Sequence, residues 1–95
     1  ISNIKEMGLT EQYNTPFEKV EVINHMANGK INIKRIKWKN TIYKVTEVIS
    51  EFLTREGDNP SMNYTVKTDQ DIILQLKFEK INMTWFLIKW DYDST

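Results

Sequence analysis

Ninety-five residues with thirteen basic and thirteen acidic side chains make one small domain of zero formal charge, which argues against a uniformly basic nucleic-acid binder but leaves room for a local patch. The absence of cysteine excludes disulfides and thiolate metal sites, so no oxidising compartment is needed and the cytoplasm is the expected location. No apolar run approaches the ~18 residues of a membrane-spanning helix, and the first residues, ISNIKEMGLTEQ, hold no signal-peptide apolar core.

Residues 1–15 are mostly polar, interrupted by Gly8, and read as a loose arm or a single helical turn carrying Ile4, Met7 and Leu9 on one side. A start at Ile1 fits a chain trimmed or excised from a longer one. Thr15-Pro16 favours extended backbone and opens the expected β domain, residues 16–91, with a frayed polar tail at 92–95. Phe17 to Met26 alternates in part and predicts a first strand. Asn28-Gly29 then gives a strong short hairpin signal, because both central positions of a type I′ turn need positive φ.

The next strand contains a phase slip. Ile31 and Ile33 fall on odd positions, Ile36 and Trp38 on even ones. A regular strand alternates with a period of two and cannot place all of them on one face. A β-bulge near Lys34-Arg35 resolves the conflict and bends the sheet. A turn at Lys39-Asn40 pairs Trp38 with Thr41, Ile36 with Tyr43 and Lys34 with Val45. One face then holds Ile36, Trp38, Tyr43 and Val45, and the other Arg35, Lys37, Lys39 and Lys44, with Ile42 among them.

Val48, Ile49, Phe52 and Leu53 admit two readings. Their spacing suits an amphipathic helix over 47–55, closed by Gly57. The β-branched run before them favours a strand that continues through a bend, and the strand is preferred. Gly57 to Ser61 reads as a loop. Tyr64, Val66 and Thr68 form a strand, and Asp69-Gln70-Asp71 a three-residue turn. Ile72, Leu74, Leu76 and Phe78 share one face of the following strand. A turn near Ile81-Asn82 pairs Phe78 with Trp85 and Leu76 with Leu87. The last strand is apolar on both sides, with Trp85 and Leu87 on one and Phe86, Ile88 and Trp90 on the other. The expected fold is all-β: an antiparallel meander of five or six strands curled into a small barrel or half-barrel. Its expected core is Val20, Val22, Ile36, Trp38, Tyr43, Val45, Tyr64, Val66, Leu74, Leu76, Phe78, Trp85 and Leu87.

The run from Ile36 to Val48, with Trp38, Tyr43 and Val45 spaced W-x4-Y-x-V, resembles a family of short bacterial all-β domains of uncharacterised function. Those domains end in a strand carrying W-x-L, matched here by Trp85 and Leu87. The resemblance spans roughly residues 17–90 and rests on fold motifs. It implies a fold and a bacterial cytoplasmic setting, and no activity. This chain departs from the pattern in its basic, arginine-poor hairpin and in a longer insertion near residues 55–62.

Two surfaces stand out. Lys30, Lys34, Arg35, Lys37, Lys39 and Lys44 cluster without an intervening acid. Such a face can follow a phosphate backbone or meet an acidic protein, but a solvated lysine-rich margin that resists aggregation accounts for it as well. Phe86, Ile88 and Trp90 would form an exposed apolar patch for a partner unless the first strand or the arm covers them. Evidence for catalysis is thin. His25 is the only histidine, and a nucleophile–base–orienter set has nothing else to draw on. Asp69/Asp71 and Asp91/Asp93 lack the further oxygen ligands of a calcium loop. Asn63 and Asn82 match the glycosylation pattern without a secretion signal to support it. No cofactor or metal is implied. The reading is a non-enzymatic interaction module with a protein partner or a second copy preferred. Polyanion binding through residues 30–44 is one alternative and a small-ligand or enzymatic domain the other.

Overall fold

The structure, a computed structural model, describes residues 16–93; the expected N-terminal arm lies outside them. Seven antiparallel strands run β1 (Glu18–Lys19), β2 (Glu21–Ala27), β3 (Lys30–Trp38), β4 (Thr41–Glu56), β5 (Asn59–Thr68), β6 (Ile72–Glu79) and β7 (Thr84–Tyr92). They lie in the order β1-β7-β6-β5-β4-β3-β2, a meander curled into a half-barrel.

The count exceeds five or six because the first strand breaks at Val20. The residues before it pair with β7, Glu18 opposite Leu87 and Lys19 opposite Phe86. The residues after it pair with β3, from Glu21 opposite Lys37 to Ala27 opposite Lys30. Val20 itself donates its N–H to the carbonyl of Trp85 at 3.1 Å. One short run of chain thus borders both margins of the sheet.

The tight turns follow their chemistry. Asn28 and Gly29 have φ of 54° and 76°, and Lys39 and Asn40 have 50° and 62°, the left-handed pair that a type I′ hairpin needs. Gly57, at φ 62°, starts a two-residue turn. The expected loop over 57–61 is therefore shorter, with Pro60 and Ser61 already paired within β5. Asp71, at φ 58°, closes the three-residue turn. At the chain's end β7 runs past the expected boundary at 91. Tyr92 pairs with Ile72, and the Asp93 N–H donates to the Asp71 carbonyl at 2.9 Å.

Bulges put the apolar residues in phase. Between β2 and β3 the register passes from Ile23↔Arg35 to Asn24↔Ile33, which leaves Lys34 unopposed. Ile33, Ile36 and Trp38 therefore all reach the core. Trp38↔Thr41 and Ile36↔Tyr43 pair as expected, but the β3–β4 ladder ends at Arg35↔Lys44, so Lys34 and Val45 do not pair. β4 is one strand through residue 56, which removes the helix over 47–55. It slips at Val45/Glu47 and again at Val48/Ser50, leaving Thr46 and Ile49 unopposed. Phe78↔Trp85 and Leu76↔Leu87 hold.

The core is a single cluster of Ile33, Ile36, Trp38, Tyr43, Tyr64, Val66, Leu74, Leu76, Phe78, Trp85 and Leu87. Val20, Val22 and Val45 are partly buried against it. Phe78 and Trp85 sit with ring centroids 4.7 Å apart, within the range where aromatic pairs add to simple burial.

Candidate interaction surfaces

On the outer face of β2–β3–β4, cross-strand pairing decides which basic residues meet. Arg35 lies opposite Lys44 on one side and Ile23 on the other, and Lys37 lies between Glu21 and Ile42. The structure thus gathers Arg35, Lys37 and Lys44 beside the exposed aliphatic side chains of Ile23 and Ile42, while Lys30 lies at the far end of β3, opposite Ala27. Lys34 stands at the bulge. Lys39 sits in the turn, with its ammonium 5.2 Å from the Trp38 ring centroid. The patch is not purely basic, since Glu21 comes within 3.9 Å of Lys37. At its margin the β5–β6 turn docks onto β4. The Asp69 carboxylate accepts the Lys44 N–H at 3.1 Å, and the Gln70 amide donates to the Ile42 carbonyl at 2.9 Å.

Phe86, Ile88 and Trp90 do not share a face. The β6–β7 register passes from Gln75↔Lys89 to Leu76↔Leu87, so Ile88 is unopposed and the alternation reverses beyond it. Trp90 falls opposite the fully buried Leu74 and packs on the core, 6.0 Å from the Trp38 ring. Phe86 stays on the outer side, where Phe17 stacks on it at 5.4 Å. Phe17, immediately before β1, thus lies over Phe86, the alternative in which the start of the first strand covers part of this face.

A surface the sequence analysis did not single out lies along the second half of β4. The strand pairs with β3 only as far as Lys44, but with β5 as far as Glu56. Beyond the bulges, among the described residues, no strand pairs with Thr46–Glu56 on the side away from β5. Val48, Ile49, Phe52 and Leu53 are exposed there by 43%, 45%, 53% and 46%. Glu51 faces Tyr64 across the ladder. Burial, and then the charge and hydrogen bonding of the Glu51 carboxylate, lift the Tyr64 hydroxyl above its ordinary pKa of 10.0. The signal lay in the sequence: consecutive apolar pairs, Val48-Ile49 and Phe52-Leu53, cannot all be buried by one period-two strand.

The remaining features are dispersed. An open cleft of about 870 Å³ lies between Glu18, Glu21, Lys37, Trp38 and Trp85, and the Trp38 indole N–H donates to the Glu18 carboxylate at its wall. His25 is exposed opposite Asn32. No group of three or more His, Cys, Asp or Glu positioned to hold a metal occurs among the described residues. The Asn63 amide donates to the Thr54 hydroxyl at 2.8 Å, and the Asn82 amide to Glu79 at 3.1 Å. No helix among the described residues is long and apolar enough to cross a membrane.

Comparison of the chain with protein-family models, with curated proteins and with solved structures finds no match.

Proposed function

We propose that the protein is a non-enzymatic interaction module that binds other chains through the unpaired edge of β4. The observation that carries this reading is the pairing of β4 beyond Lys44 on the β5 side alone, with Val48, Ile49, Phe52 and Leu53 exposed along it. A strand edge offers unpaired N–H and C=O groups to an incoming strand, and apolar side chains beside it supply the affinity that backbone bonds alone lack. Exposed apolar residues gathered in one place mark contact surfaces. The setting that goes with this reading is the cytoplasm of a bacterium, supported by the cysteine-free composition and the resemblance to short bacterial domains.

Selection of displayed random peptides against the folded protein tests it. Recovered peptides are expected to be extended strand formers with alternating apolar residues, and Phe52→Lys is expected to abolish their binding. Recovery of no binder, or binding indifferent to Phe52→Lys in a folded variant, refutes the reading.

A second reading, polyanion binding, is favoured by the gathering of Arg35, Lys37 and Lys44 on one outer face. Titration with single-stranded and duplex DNA at low and moderate salt decides it. Charge-driven binding weakens steeply as salt rises, and no binding at low salt removes this alternative.

A further inference from the structure

We infer that the free edge of β4 pairs with the same edge of a second copy, joining two half-barrels into one continuous sheet about a two-fold axis at Leu53. This rests on the proposed use of that edge and names its partner. The pairing of β4 with β5 is regular from Ser50↔Thr65 to Glu56↔Asn59, so residues in this stretch alternate strictly between faces. Glu51, Leu53 and Arg55 lie on the side of Tyr64, Met62 and Pro60; Ser50, Phe52, Thr54 and Glu56 lie on the other. An antiparallel two-fold pairing that keeps like faces together must be centred on a residue.

Charge then chooses among the centres. Centred on Glu51, two like carboxylates sit directly opposite. Centred on Phe52, each Glu51 faces a leucine and Arg55 faces the bulge at Ile49. Centred on Thr54, each Arg55 faces a leucine. Centred on Leu53, Glu51 of each copy faces Arg55 of the other, Leu53 meets Leu53, and Phe52 lies against Thr54. Only this last register satisfies every charge in the regular stretch that lies on the face of Leu53, and opposite-charge pairs directly across a ladder stabilise it. A C2 contact repeats each such pair, so both Glu51–Arg55 pairs form at once. Glu51 is also the carboxylate that faces Tyr64 across the β4–β5 ladder of its own chain.

Sedimentation velocity across a concentration series, with circular dichroism to verify the fold of each variant, reads the result. The wild-type chain is expected to dimerise. Arg55→Glu turns both attractive pairs repulsive and is expected to weaken the dimer about tenfold or more, and adding Glu51→Arg to it restores the dimer. Because the chain has no cysteine, oxidation of Leu53→Cys is expected to give a covalent dimer. Val48→Cys, far from its own copy in this register, is expected to give none. A dimer indifferent to Arg55→Glu, or one cross-linked equally well from Val48→Cys, overturns the inference. A monomer at every concentration also overturns it. If that monomer still captures strand peptides in a Phe52-dependent way the wider reading stands, and if it captures none both fall.

Discussion

Trp38 is the residue on which most of the packing converges. Its ring lies 6.1 Å from Tyr43 and 6.0 Å from Trp90, and its indole N–H reaches the Glu18 carboxylate, so one side chain ties β3 to β4, β7 and β1. Hydrogen bonds to charged acceptors contribute about 1.5–3 kcal/mol. Trp38→Phe is therefore expected to lower stability by about 2 kcal/mol in denaturant unfolding, and Glu18→Ala to remove most of the same coupling in a double-mutant cycle. Tyr64 makes a prediction at high pH. Its pKa is raised in the fold above 10.0, so the unfolded chain releases the proton first. Stability is then unaffected by this group below about pH 10 and falls as pH rises through its folded pKa. Tyr64→Phe is expected to flatten that decline, and Glu51→Gln to reduce it. Single residues were legible where parity was clean: Ile36, Trp38, Val66 and Leu76 alternate with polar neighbours and are buried. Trp90 was not legible, because positions 85–88 are apolar throughout and carry no parity by which a slip at Ile88 could be read.

Each element depends on where its bulge falls. Lys34 shifts the alternation of β3, so that Ile33, only 5% exposed, points inward like Ile36 and Trp38. Deleting Lys34 turns Ile31 and Ile33 outward and is expected to destabilise the fold by about 3 kcal/mol or more, since fully burying one such side chain contributes about 1.5–3 kcal/mol. Lys34→Ala leaves the backbone count intact and is expected to stay within about 0.5 kcal/mol. Equilibrium unfolding of the two variants separates the effect of register from that of the side chain. This bulge was readable because odd and even isoleucines conflict within one short run. The break at Val20 was not, since a valine flanked by charged residues has no glycine or proline to mark it. The two slips in β4 put apolar residues at spacings that also suit a helix, and only the ladder to β5 resolves that ambiguity.

At the scale of the whole molecule, the ladders differ greatly in length. β5 and β6 pair from Ser61↔Glu79 to Lys67↔Ile73, whereas β1 holds β7 through Glu18 and Lys19 alone. Local opening follows the weakest contacts. Amide hydrogen exchange is therefore expected to release the Val20 N–H, bonded to Trp85, well before the central amides of β5 and β6, which exchange only with global unfolding. Equal protection of the two sets would show that the margins are as strongly held as the centre. The meander itself was legible from turn chemistry, because each hairpin joins neighbours in sequence. The meeting of its two margins was not, since that depends on Glu18 and Lys19 reaching β7 near the far end of the chain. The short seam also has a mechanical consequence. Tension entering from the N-terminal side meets Glu18 and Lys19 before any longer ladder, so the half-barrel peels open at its rim while the middle strands still bear the load.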